Sequence, residues 1–440
     1  MKRRKFVKNT SSIAGLMCSG ALFSHDLFNV KSKLQKAVKI TSGSKQQWFG
    51  YYDKFQVDKS GRYVLVGKVD TFFRSPTIKD KLSIGIIDLE NEFKVKWIGS
   101  SNSWGWQQGC MLQWIPGSEN EIIWNDREKG KLISRIYSIS NGSTRTLPKP
   151  IYTISPDGSF ALTLNFERLQ FFRPGYGYPG IKSSINWSES PDNDGIFKMD
   201  LHTGKSQMII SLDNVARITR SKGSVKGFFH WFNHLLVSPD SNRFIFLNRS
   251  RPILLGKEMS GYLSNHPELN SFGFDGPYIT RAMTANTDGS EIYPLNDEGF
   301  FSHFIWDGND VITAWAVPDA GGKNAFYNFR DKTDHYEIIG KNIMDHNGHN
   351  TYVPNTNNEW ILNDTYPLGT ERLQELYLFH VPSNRKVSLG KFYEPPQYKG
   401  EWRCDLHPRC NQEGTKVFFD SSHEGNRQIY MMDIKEIVRS

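Results

Sequence analysis

Four histidines stand at one offset from a turn in four consecutive segments of the chain. His234, His303, His349 and His407 each lie four residues before the turns beginning Ser238-Pro239-Asp240, Asp307-Gly308-Asn309, Val353-Pro354-Asn355 and Asn411-Gln412-Glu413. The whole chain has only 12 histidines, so four at a shared position form a pattern. A neutral imidazole ligates a divalent metal or moves a proton near neutral pH. Two or three of the four, helped by His346 or Asp345, are expected to hold a zinc-like ion. Its ligands must come within about 2.0–2.2 Å, and groups from four segments need not all converge. For a single histidine, a hydrogen bond between neighbouring structural units is the simpler explanation; the repetition favours function.

Three further clusters lie near the same strand starts: Trp104-Gly105-Trp106-Gln107-Gln108-Gly109, Arg173-Pro174-Gly175-Tyr176-Gly177-Tyr178 and Trp402-Arg403-Cys404-Asp405-Leu406-His407. Tryptophan and tyrosine faces stack on sugar rings, and the arginine fork pairs with carboxylate or sulfate. Trp104 and Trp106, taken singly, are more readily packing residues, and Arg403 has a ready structural partner in Asp405. A glycoside hydrolase would need a facing carboxylate pair; Asp53, Asp126, Glu167 and Asp405 are candidates that no spacing rule joins. There is no phosphate-cradling glycine loop and no Gly-x-Ser-x-Gly elbow. Cys404 and Cys410 are a weak metal signal and leave one disulfide open.

The elements that must position these groups are strands. Runs such as Tyr63-Val64-Leu65-Val66, Phe160-Ala161-Leu162-Thr163 and Lys416-Val417-Phe418-Phe419 are bounded by Gly, Pro, Asn and Asp, and helix-length periodicity is nearly missing after residue 40. A turn followed by a strand recurs seven times, starting at Asp58, Ile115, Ser155, Ser238, Asp307, Val353 and Asn411. The spacing suits four-stranded units with insertions. The expected fold is all-β, a seven-bladed β-propeller over residues 41–440. The first strand of each blade would line a central channel, with the four histidines at similar depth.

Composition narrows the function. The 440 residues include 12 Trp, 18 Tyr and 29 Phe, ample surface to bury, which excludes a disordered chain. The net charge of +8 resides wholly in residues 1–40, with nine Lys/Arg and one acid, Asp26. The remainder is neutral, so a nucleic-acid partner is not expected. Residues 1–24 read as an export signal, with Lys2-Arg3-Arg4-Lys5-Phe6-Val7-Lys8 leading a short apolar stretch, and residues 25–40 as a basic leader. The paired arginines resemble a bacterial twin-arginine signal. A periplasmic or secreted protein is expected, with no membrane attachment once the signal is removed.

A propeller with histidines at successive blade starts, in particular His234, His303 and the segment Asp345-His346-Asn347-Gly348-His349, resembles the oligogalacturonate lyases and related propeller-fold polysaccharide lyases. Much of the likeness, spread over residues 41–440, is shared with any TolB-like or WD40-like propeller. The resemblance implies a divalent metal of manganese or zinc type, held in the family by three His and one Gln. His303, His346 and His349 match part of that set, with His407 or Asn350 in place of the rest and no glutamine partner evident. By likeness to the ulvan lyases, His234, Tyr178 and Arg173 would form the catalytic group, with Arg403 nearby. The implied reaction is β-elimination on an acidic oligosaccharide substrate. The alternative is a non-catalytic TolB-like propeller that binds a protein or glycan.

Overall fold

β-Branched and aromatic residues crowd short segments because the middle strands are buried on both faces, as in Phe160–Thr163 and Trp360–Asp364, and turn residues end each segment after one strand length. The computed structural model describes residues 36–439 apart from 71, 181–187, 219–227, 253–277 and 320. The export signal and residues 25–35 of the basic leader therefore lie outside the described residues. Within them the strands form seven four-stranded antiparallel sheets, the seven-bladed β-propeller expected from the turns. The inner strands of blades one to seven are Gln46–Trp48, Gln113–Trp114, Thr153–Ile154, Phe228–Val237, Phe301–Asp307, Thr351–Tyr352 and Arg409–Cys410.

Blades pack through large side chains that also satisfy the next blade's backbone. Trp114 Nε1 donates to the Gln56 carbonyl and Trp306 Nε1 to the Leu236 carbonyl, each at 3.1 Å across a blade boundary. Trp48, Trp104 and Trp106 form a buried aromatic cluster, with Trp48 and Trp106 stacked at 5.4 Å. Trp104 and Trp106 are thus packing residues and not sugar platforms.

The ring closes on its own beginning. Val38 and Lys39 pair with Met431 and Tyr430 as the outermost strand of blade seven. The propeller starts before residue 41, inside the stretch read as leader, because the last three strands need a fourth to cover their edge. Arg409 and Asp420 of the last blade, joined at 3.1 Å and fully buried, bind Gln56 and Phe49 of the first. Ile40, buried to 1% exposure, seals this seam. Removal of the residues up to and including Ile40 should cost about 3 kcal/mol, from one lost isoleucine burial and the ladder bonds. Denaturant unfolding of the shortened protein checks this; an unchanged midpoint would mean the seam contributes nothing.

Candidate active site

The histidine backbone is held in an unusual shape. His234, His303 and His407 have φ of 49°, 35° and 42°, in the left-handed region that non-glycine residues seldom occupy. Strand register slips between Asn233 and Leu236 and between Ser302 and Phe304, so His234 and His303 sit on β-bulges. A bulge re-aims one side chain without ending the strand. Here it turns imidazoles out of the blade.

All four offset histidines are gathered together. The rings of His303 and His349 are 4.2 Å apart, and those of His349 and His407 are 4.3 Å apart. Tyr51 of the first blade links the fourth, lying 5.1 Å from His234 and 5.0 Å from His407. His349 Nδ1 lies 3.0 Å from both oxygens of buried Asp364. A carboxylate only accepts, so Nδ1 carries the proton and Nε2 presents its lone pair. His349 Nε2 and His407 Nε2 are both buried without a hydrogen-bond partner. With a carboxylate oxygen of Asp405 their ligand atoms lie within 4.8 Å of one another. Two orphaned imidazole nitrogens facing a buried carboxylate fit a divalent cation of the transition-metal type.

This set differs from the one expected. His346 is exposed, bonded to Asp345 at 2.7 Å, and is not part of the group. It precedes His349 by three residues in an irregular segment, where no helical face brings such neighbours together. His303 instead bonds Asn347 through Nδ1 at 2.8 Å, and its Nε2 lies 3.3 Å from the Tyr366 hydroxyl. It adjoins the trio without joining it. Asp405, read from sequence only as a hydrolase candidate or a partner of Arg403, takes the third place. Gly348 makes the geometry possible: a Cβ there would come 1.8 Å from the Asp364 carbonyl oxygen. Gly348→Ala should push His349 off Asp364, weaken metal binding at least about tenfold and lower the melting temperature. Metal titration and calorimetry check it; wild-type affinity in the variant would overturn this role.

Beside the histidines opens a cavity of about 340 Å³, lined among others by Arg173, Tyr176, His234, Arg249, Tyr278, His303, Tyr366 and Arg403. His234, Arg173 and Arg403 are therefore brought together as expected. Tyr178 is not. Its ring stacks on Phe166 at 4.4 Å and its hydroxyl is 2.8 Å from Asn125 Nδ2, a core position. The reason is local. The helix Phe166–Phe172, capped by Asn165, runs straight into this loop, and Gly177 lies where a Cβ would meet the Phe166 carbonyl at 2.2 Å. The loop hugs the helix, sending Tyr178 inward and Tyr176 to the cavity.

Tyr176 accepts a hydrogen bond from Arg403 Nη2 at 2.8 Å, and the Arg173 guanidinium sits 5.0 Å from its ring. Burial tends to raise its pKa, but Arg403 and Arg173 outweigh this and draw the phenol below its ordinary value. Arg403 is in turn paired with Asp405 at 2.7 Å. Burial, then neighbouring positive charge, holds His234 well below the usual histidine range. Burial likewise keeps His303 and His407 neutral, each with a neighbouring His349 as the next cause. Tyr152, 3.3 Å from His234 Nδ1, steadies that ring.

The remaining candidates fall away on geometry. Asp53 pairs with Lys54 at 2.7 Å and Asp126 with Arg135 at 2.6 Å, while among the described residues no carboxylate lines the cavity. Glu167 is half-buried beside Arg127. Cys404 and Cys410 are free thiols, each pushed up to about 12 by burial. No helix among the described residues is long and apolar enough to cross a membrane. Tyr366, Tyr278 and Arg249 were not singled out from sequence. Arg249 had one faint signal, the polar run Arg249-Ser250-Arg251 inside an apolar strand.

No family model matches the chain, and no curated protein matches it. Solved structures do. An oligogalacturonate lyase from Vibrio parahaemolyticus superposes with a TM-score of 0.59 at 14% identity, over 90% of this chain and 93% of that one. A second oligogalacturonate lyase, in complex with manganese, gives a TM-score of 0.61 at 12% identity, over 92% and 94%. The likeness is one of fold. It joins this chain to propellers that include lyases, and the residues above must carry the rest of the argument.

Proposed function

We propose that the protein is a lyase that cleaves uronate-containing oligosaccharides by metal-assisted β-elimination. The observation that carries the proposal is Tyr176, a buried phenol set between Arg173 and Arg403 beside the His349–Asp405–His407 trio. The C5 proton of a uronate is only weakly acidic, so its removal needs the adjacent carboxylate neutralised and a base at hand. His349, His407 and Asp405 would hold a divalent cation of manganese or zinc type, which would supply Lewis-acid charge for that carboxylate. Arg173 and Arg403 bind and orient the acid group. The Tyr176 oxygen takes the proton from C5 as the C4–C5 double bond forms and the C4–oxygen bond breaks. The same proton then passes from Tyr176 to the leaving oxygen. Neutral His234, whose ring lies 5.5 Å from that of Tyr176, is the second group able to hold a proton there.

The likeness in fold to oligogalacturonate lyases supports this reading, and the basic N-terminal segment supports action in the periplasm or outside the cell. The test is incubation of metal-loaded protein with a panel of polyuronates. Elimination yields a conjugated product that absorbs in the ultraviolet, and fragments whose masses sum to the substrate's with no water added. Fragments carrying an added water would replace this reading with hydrolysis. Saturable binding without any product would replace it with a binding-only, TolB-like propeller.

A further inference from the structure

The histidines of the centre are held by partners of two kinds. His349 Nδ1 faces the Asp364 carboxylate at 3.0 Å, and His303 Nδ1 faces the side-chain oxygen of Asn347 at 2.8 Å. Both oxygens only accept, so these two rings carry their proton on Nδ1 and present the lone pair of Nε2. His234 is held differently. Its Nδ1 lies 3.3 Å from the Tyr152 hydroxyl, whose oxygen already receives the Gln108 side-chain amide at 2.8 Å and the His234 backbone N–H at 3.1 Å. An oxygen with its acceptor positions filled has only its own proton to give, and His234 Nδ1 and the Asn233 side-chain oxygen, 3.2 Å away, share it. The Asn233 oxygen also accepts the His234 backbone N–H at 2.9 Å, which fixes the orientation of that amide. Tyr152 and Asn233 are fully buried and Gln108 is 3% exposed, so the direction of these bonds is set inside the protein.

Burial keeps His234 neutral, so its one ring proton sits on one nitrogen or the other. A proton on Nδ1 would meet the filled Tyr152 oxygen, whereas a proton on Nε2 leaves Nδ1 to accept from it. We infer that Gln108 and Tyr152 fix His234 as the Nε2–H tautomer, so that it meets the substrate as a hydrogen-bond donor and not as a base. The ring lines the cavity while its Nδ1 side is held by buried Tyr152, which leaves Nε2 for an oxygen of the saccharide. The donor role rests on the lyase reading. The tautomer goes beyond it and makes Gln108 and Tyr152 positioning residues, since neither lines the cavity. Gln108 comes from the cluster Trp104–Gly109, whose tryptophans serve in packing. Proton abstraction is then left to Tyr176, and the imidazoles divide two tasks: His349 offers a lone pair to a cation, and His234 offers an N–H to the sugar.

The test is heteronuclear NMR of the zinc-loaded protein with isotope-labelled histidine, the His234 signals being assigned by their loss in His234→Gln. The two neutral tautomers differ in which ring nitrogen has the protonated and which the unprotonated shift. In the wild type His234 should show Nε2 protonated and Nδ1 unprotonated, with His303 showing the reverse. Tyr152→Phe removes the hydroxyl and Gln108→Leu frees its oxygen to accept. Each should lower the ratio of Nε2–H to Nδ1–H at least about fivefold, the weight of one hydrogen bond. A wild-type Nδ1–H overturns the inference, because Gln108 would then be turned to accept from Tyr152; so does a ratio unchanged in both variants. The wild-type spectrum decides even if neither variant folds. A second arm reads the substrate role. His234→Gln keeps a neutral donor without a basic nitrogen and should lose about tenfold or less in turnover of a polyuronate. A loss of about 10²–10⁴-fold, the range for a positioned base, overturns the donor role. Nε2–H without an unsaturated product from any polyuronate would leave Gln108 and Tyr152 in place as positioning residues and remove the lyase reading. Product formation with Nδ1–H would do the reverse.

Discussion

Removing the metal, by chelation or by His349→Ala, should reduce elimination by about a thousandfold. The estimate follows from Lewis-acid stabilisation of several kcal/mol, about 4 kcal/mol corresponding to three decades of rate. His349 is the decisive position because its Nε2 is oriented from behind by Asp364, both side chains being 1% exposed. His407→Ala should act similarly, having the second orphaned nitrogen. Asp364→Asn is the informative companion: it keeps the volume but disturbs the tautomer, and should weaken metal binding by about 10–100-fold. Activity restored by excess metal in Asp364→Asn but not in His349→Ala would separate orientation from ligation. Full activity after exhaustive chelation, with metal shown absent by elemental analysis, would remove the cation from the reaction.

Tyr176→Phe should lower turnover by about 10²–10⁴-fold, the range for loss of a positioned base, while metal affinity stays near that of the wild type. The pH profile gives a sharper check. Tyr176 acts as base only when ionised, so the rate should climb with pH and level off below the ordinary tyrosine value near 10. Burial and Asp405 oppose ionisation; Arg403 and Arg173 favour it and prevail. Arg173→Gln should therefore move the rising limb to higher pH as well as weaken substrate binding. A rising limb lying well below the usual histidine range would instead transfer the base role to His234. Tyr178→Phe is the control, since its hydroxyl serves only the Asn125 contact in the core.

The histidine pattern was legible because a turn fixes where each inner strand begins, and equal offsets from the turn mean equal depth in a ring of blades. His234, His303, His349 and His407 could be grouped on that ground alone. What depth does not encode is direction. Tyr176 and Tyr178 share one loop, and only the close approach of Gly177 to the helix carbonyl separates their destinations. His346 is near His349 in sequence, but Gly348 presses the backbone between them onto Asp364 and leaves His346 outside. Arg249 is a strand residue whose importance depends on which blade face meets the cavity, something a local pattern cannot state. Asp405 was visible only as a hydrolase candidate and a neighbour of Arg403, because its approach to His349 joins two different blades.

The seam described at the ring closure has a consequence for when the site comes into being. Tyr51 comes from the first blade made, while Asp405 and His407 belong to the last, whose outer edge is completed by Val38 and Lys39. A chain emerging from the ribosome therefore carries no assembled centre until its final strands return to its beginning, a loop closure spanning nearly the whole chain. A ligand that bridges the trio joins blade six to blade seven, so its free energy adds to the packing of the last blade on its neighbour. Loading the centre and holding the last blade in place are then one thermodynamic event, and the occupied protein resists loss of that blade more than the empty one.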